Sequence, residues 1–204
     1  MATLSTIRNR IKSDLELSGT ARDSQIDDAI RSAIRWYNGS QLWFLQKKDA
    51  VTLLTGNDSV ALPSDLGSLK PRSGRLPYSG IYYSQGYGFD QYTWAELNGR
   101  FRSNLTSARP TKYAISGSTL YVDCLADGDY AIELTYFKKD TTEPTGDSGT
   151  SFWFEEGQDA IRTRAMAFFK DEAQDYETAA NDWARADAYF NKLIEQSNQY
   201  TGII

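Results

Sequence analysis

Histidine is absent from the 204 residues. Ser–His and Cys–His nucleophile systems, histidine-ligated zinc and the usual general base near neutral pH are excluded with it. Cysteine occurs once, at Cys124, which removes intrachain disulfides, CxxC redox pairs and thiolate metal clusters. Within the apolar string LYVDCL that thiol reads as a buried structural side chain. No run approaches ~18 apolar residues, so nothing reads as a membrane helix. The opening MATLSTIRNR lacks the apolar run of a signal peptide. Phosphate-cradling GxxxxGK(S/T) and GxGxxG loops are missing as well. Basic residues are outnumbered, 22 Lys and Arg against 27 Asp and Glu, for a net charge of −5. That balance disfavours general nucleic-acid binding, which needs clustered cations to neutralise phosphates. No cofactor and no metal are expected.

What is present is the composition of a folded chain, 40% hydrophobic and 24% charged, long enough to bury a real core. Its beginning reads as two helices. Leu4, Ile7, Ile11 and Leu15 recur at helical spacing behind Thr3 or Ser5 as N-cap, with Gly19 placed as the stop. Ser24 then precedes Asp27 and Asp28 in a first turn. Ile26, Ala29, Ile30, Ala33, Ile34 and Tyr37 mark one face of a second helix, which Gly39-Ser40 ends.

From about Ala50 to Lys138 the period becomes strand-like. Val51 to Thr55 and Val60 to Leu62 flank the turn Gly56-Asn57-Asp58 and read as a strand pair. Tyr113–Ser116 and Thr119–Asp123 flank Gly117-Ser118. Asp127-Gly128 reads as a hairpin turn, not a calcium loop, because the further oxygen ligands are lacking. After it Tyr130, Ile132, Leu134 and Tyr136 line one face of a strand. Between the strand pairs, Leu66 to Arg109 reads as long loops with a short helix or strand near Trp94–Leu97.

Gln158 to Ser197 is helical throughout. One unbroken helix of that extent would be roughly 60 Å long. A break is placed at Asp175–Ala180 with Thr178 as cap, although no Gly or Pro enforces it. The pattern is therefore α+β: a helical bundle from N- and C-terminal helices, with a β-rich insertion between the second and third helices. The segments are 1–45, 46–150 and 151–204.

Three clusters carry candidate chemistry. The tyrosine-rich run holding Tyr82, Tyr83, Tyr87, Phe89, Tyr92 and Trp94 suits a sugar-stacking platform, a protein interface, or packing on its own domain. Glu155, Glu156 and Asp159 sit before a helix, where acids favour the helix start or could act as a carboxylate pair. Arg100, Arg102, Arg109 and Lys112 form the densest basic stretch and read as a solvated loop face rather than a DNA site. No catalytic constellation emerges.

The order of elements carries a resemblance. Two helices come first, then the aromatic exits Trp36-Tyr37 and Leu42-Trp43-Phe44, then the turn VALPSDL at 60–66. Tyr113-Ala114-Ile115, Gly117, the strand Tyr130–Tyr136 and a C-terminal helical region with Phe169, Tyr176, Trp183 and Phe190 follow. In this order the chain resembles the head-to-tail adaptor (connector) proteins of tailed bacteriophages over nearly its whole length. The resemblance implies a non-enzymatic protein of the virion neck, assembled in the host cytoplasm and joining the portal protein to a tail or nozzle protein, or to a tail fibre. It implies a homo-oligomeric ring of twelve copies, through which DNA passes without sequence-specific binding, and no membrane partner. An acidic lining would let the genome slide.

On this reading the end SNQYTGII supplies the portal contact through Tyr200, Thr201, Gly202, Ile203 and Ile204, whose apolar side chains need somewhere to bury. They either fold back on the chain's own helices or extend into a groove between portal subunits. Tyr82, Tyr83, Tyr87, Phe89 and Tyr92 would face the tail. The alternative from another class is a virion-associated glycan-binding or glycan-cleaving module using the tyrosine run and a carboxylate pair.

Overall fold

The computed structural model describes residues 2–69, 81–83, 89–140 and 143–201, with only the backbone at Tyr82, Tyr83 and Thr201. The chain forms two units: residues 1–45 with 140–204, and residues 46–139.

The helical unit begins with α1 (Leu4–Asp14), capped by Thr3, whose hydroxyl accepts from the Thr6 N–H. Leu4, Ile7 and Ile11 are fully buried. The helix stops at Leu15, four residues before the expected glycine. Glu16 turns left-handed (φ 53°) and the Leu17 N–H reaches back to the Lys12 carbonyl, so the C-cap forms on a non-glycine residue. Helix α2 (Asp23–Tyr37) starts one residue before Ser24, which therefore lies inside its first turn, and no side chain caps its start. Arg8 instead grips Asp27 with two hydrogen bonds of 2.7 Å, and Lys12 holds Asp23 at 2.7 Å. The apolar face predicted for α2 is buried at all six positions.

After the β-rich unit, the chain returns at Asp140. The structure moves residues 140–150, expected with the insertion, into the helical unit. The Gly149 carbonyl accepts from the Leu4 N–H (2.8 Å), Asp147 pairs with Arg8 (2.8 Å), and Glu143 pairs with Arg35 (2.6 Å). Helix α4 (Gln158–Glu172) is buried on most sides, and α5 (Tyr176–Thr201) runs back along it. The break lies at residues 173–175, slightly earlier than expected, with Gln174 left-handed (φ 61°). Thr178 hydrogen-bonds the Asp175 carboxylate, so the cap position falls to Asp175. Lys170–Asp182 (2.7 Å) ties the two helices close to the turn.

In the β-rich unit, β10 (Tyr130–Lys138) pairs antiparallel with β1 (Gln46–Leu53) along one edge, and with β4 (Ile81–Tyr83) and β3 (Leu66–Leu69) along the other. A second sheet runs β2 (Ser59–Ala61), β8 (Thr119–Val122), β7 (Lys112–Ser116), β5 (Asp90–Gln91). A short parallel pair joins β6 (Ser107–Ala108) to β9 (Leu125–Ala126). The β7–β8 hairpin turns at Gly117 (φ 60°), as expected. Helix α3 (Trp94–Phe101) sits inside this unit behind a Thr93–Glu96 capping box.

Two expected hairpins are not hairpins. β1 and β2 belong to different sheets, and the Asp127-Gly128 turn leads from β9 to β10, which do not pair. The two turns dock on one another. The Gly56 N–H reaches the Ala126 carbonyl at 2.7 Å, and the Asp129 carboxylate accepts from the Thr55 N–H at 2.8 Å. The first turn therefore carries the chain from the β10 sheet to the β8 sheet, and the second carries it from the short β6–β9 pair to β10. Leu53, Tyr113, Leu120, Val122, Ile132 and Leu134, drawn from both sheets, share one core.

Candidate functional site

In the helical unit the last turn of α2 places two adjacent aromatics differently. Tyr37 continues the buried stripe, while Trp36, one residue round the helix, is 62% exposed. Beneath Trp36 lies Arg164 of α4, itself buried. Its guanidinium is 4.7 Å from the Trp183 ring centre, 5.1 Å from that of Trp36 and 5.2 Å from that of Tyr37. Nε donates to the Tyr37 hydroxyl oxygen at 3.1 Å, and the far side of the group bonds the Asp187 carboxylate. The Tyr37 hydroxyl donates in turn to the Ala186 carbonyl. Burial pushes the Tyr37 hydroxyl above its ordinary pKa, against the opposing pull of Arg164. A buried guanidinium is tolerable only with such a full set of partners. Phe168 completes the group, edge-on to Trp183 at 4.8 Å.

A second aromatic group closes the end of α5. Tyr200, 73% exposed, stacks on Trp43 at 5.5 Å. Trp43 meets Phe44 edge-on, and Phe44 meets the buried Trp153 in the same way. Of the other residues expected at the portal, Thr201 is the last of α5, while Gly202, Ile203 and Ile204 lie outside the described residues.

The tyrosine-rich run does not form a single platform. Phe89, expected on the tail-facing surface, is a core residue edge-on to Tyr113, so it offers no surface. Tyr92 is half-buried against Phe101. Tyr82 and Tyr83 belong to β4, and Tyr87 lies outside the described residues. Trp94 packs on Tyr121 at 4.3 Å, with Arg102 over both rings.

The basic stretch is partly structural rather than a solvated face. Arg102 donates to the Val122 carbonyl at 2.6 Å and pairs with Asp58, and Lys112 pairs with Asp123. Cys124 is buried as expected, its thiol donating to the Ala108 carbonyl. Glu155 and Glu156 are exposed, and Asp159 pairs with Arg162 at 3.3 Å within the first turn of α4. Among the described residues no group of three His, Cys, Asp or Glu could hold a metal ion, and no helix is long and apolar enough to cross a membrane.

The Trp36–Arg164–Trp183 group was missed as a unit in the sequence. Its signal was there: Arg164 falls three residues after Ile161 and four before Phe168, on the apolar stripe of α4. A charged residue on such a stripe demands partners.

Charge divides unevenly between the units. Residues 1–45 and 140–204 carry 11 Lys and Arg against 18 Asp and Glu, and residues 46–139 carry 11 against 9. Compared with known families, the chain matches the family model described as SU10 adaptor protein over residues 2–203. No curated protein matches it.

Proposed function

The chain belongs to the SU10 adaptor protein family, a phage head-to-tail adaptor family, and on that premise we propose that it joins the portal ring to the tail. Membership implies a structural, non-enzymatic component of the virion neck that associates with other virion proteins. Beyond that, the chain forms a ring of twelve copies on the portal, passes DNA through its channel without reading sequence, and meets a tail or nozzle protein, or a tail fibre, below. The observation that carries this reading is the exposure of large aromatic side chains on the helical unit: Trp36 at 62%, Tyr176 at 63% and Tyr200 at 73%. Solvent-facing aromatics of that size are the usual anchors of protein interfaces.

Tyr200 to Ile204 form the portal contact. Tyr200 supports this because it is ordered by Trp43 yet leaves most of its ring uncovered. Tyr82, Tyr83, Tyr87 and Tyr92 remain the tail-side residues, without Phe89. The acidic excess of the helical unit suits a surface beside a moving polyanion, since like charge keeps DNA from sticking. Mass photometry and negative-stain imaging of the protein with portal rings from the same phage test the function. Stoichiometric decoration of one face of the ring is expected. Portal rings left bare at micromolar protein overturn it.

A further inference from the structure

Aromatic surface and uncompensated charge meet where α4 turns into α5. Phe168 of α4, Trp183 of α5 and Trp36 of α2 form one ring group, with Trp183 at 4.8 Å from Phe168 and 6.2 Å from Trp36. The buried Arg164 guanidinium fills its inner side, while Trp36 stays 62% exposed. Tyr176, seven residues before Trp183, continues the same face of α5 and is 63% exposed. The free charge beside these rings is of one sign. Residues 171–178, DEAQDYET, are all exposed, and no Lys or Arg occurs between Lys170 and Arg185. Asp171 and Glu172 follow Phe168 by three and four positions, on the same side of α4, and Asp175 and Glu177 flank Tyr176. Among the described residues none of these four carboxylates is ion-paired. The neighbouring cations are already used: Arg164 on Asp187, Lys170 on Asp182 and Arg35 on Glu143.

We infer that this face receives an arginine-bearing segment of another virion protein. A guanidinium lies flat on an exposed indole or phenol ring and reaches a carboxylate with its planar fork, so one side chain satisfies both features of the face. Arg164 makes that double contact from within, against Trp36 and Trp183 with Asp187 at its end. A purely apolar segment would leave the carboxylates stranded beside it, and an acidic segment or nucleic acid would be repelled. The same face of a second copy is disfavoured too, because it would set unpaired carboxylates against one another. Exposed Trp and Tyr with a partner arginine are the residue types that dominate the energy of protein interfaces. The inference rests on the adaptor reading for the presence of other virion proteins and adds the chemistry of the one that meets this face.

Photo-cross-linking in assembled phage particles tests it. The cross-linking residue p-benzoylphenylalanine placed at Tyr176 keeps an aromatic ring at an exposed site, and Ala180, one turn on, serves as a second position on the same face. Irradiation and mass spectrometry then read the neighbour. The expected product joins this face to an arginine-bearing segment of a different protein. Asp171→Lys combined with Glu172→Lys should lower its yield at least ~tenfold, as like charge now faces the arginine, with the melting temperature of the isolated chain within about 3 °C of wild type. Exchanging the partner arginine for Glu should restore the product in that double variant. A cross-link to another copy of this chain, to a segment without arginine, or to nothing overturns the inference, as does a yield indifferent to the charge reversal. Particles are first assayed for the wild-type chain. Its absence sinks the adaptor reading, whereas its presence with a contrary cross-link sinks this inference alone.

Discussion

The Arg164 guanidinium sits 4.7 Å from the centre of the Trp183 ring, so the most buried cation of the helical bundle is capped by an aromatic of the neighbouring helix. The same guanidinium bonds Tyr37 and Asp187, joining α2, α4 and α5 through one side chain.

Arg164→Ala should therefore destabilise the helical unit strongly, by about 3 kcal/mol, by removing the shared partner of three helices and opening a space beneath Trp36. Arg164→Lys should recover less than half of that, because an ammonium cannot donate in a planar fork while stacking on an indole. Urea unfolding curves check both. A lysine variant as stable as wild type would show that charge alone suffices.

The register of β10 gives a sharper contrast. Leu134 is fully buried and Glu133 is exposed on the opposite face. Leu134→Asp should cost about 4 kcal/mol or prevent folding of the β-rich unit, since it buries an unpaired carboxylate. Glu133→Lys should stay within about 0.5 kcal/mol. Thermal melts of the two variants decide it, and comparable losses would mean that the faces are exchanged.

Alkaline pH should weaken the β-rich unit. Burial, and then the hydrogen bond to Asp65, pushes the Tyr136 hydroxyl up to about 12 from 10.0. Burial, with the nearby charges of Asp123 and Asp127, pushes the Cys124 thiol up to about 11 from 9.0. Both groups hold their protons longer in the folded state than in the unfolded one. Their contribution is fully present below the unfolded values and is lost as pH rises from 9.0 to about 12. Melting temperature followed through that window should fall, and Tyr136→Phe and Cys124→Ala should each flatten the decline. An unchanged slope in both variants would assign the alkaline loss to other groups.

Deleting residues 200–204 separates anchoring from folding. Tyr200 contacts Trp43 but leaves 73% of its surface open. The truncated protein should melt within about 3 °C of wild type and fail to decorate portal rings. A large fall in melting temperature with decoration retained would make the segment part of the core and place the portal contact elsewhere.

The helices were legible because their information is local. The six-residue apolar face of α2 is written within a few turns of sequence. The capping box at Thr93 and Glu96 is just as local, yet Trp94–Leu97 had read as either helix or strand, and the structure makes it a helix. Alternation likewise gave the buried face of β10. The ends were less legible. Glu16 and Gln174 take the left-handed C-cap geometry that glycine usually supplies, so no glycine marked where α1 and α4 stop.

Residue spacing by itself determined the α+β class, the positions of the long elements and the burial of Cys124, because helical and strand periods reveal which side must leave water. Only the tertiary structure decided what those sides meet. It split the two expected hairpins between sheets, because the turns at Gly56 and Asp129 bond each other instead of closing their own strands. It buried Phe89 while leaving Trp36 in solvent, a choice made by neighbours distant in sequence. It also gathered Arg164 with Tyr37 and Asp187, residues 127 and 23 positions away. Periodicity states that a face is buried, but the partner across that face is fixed by the three-dimensional closure of the chain.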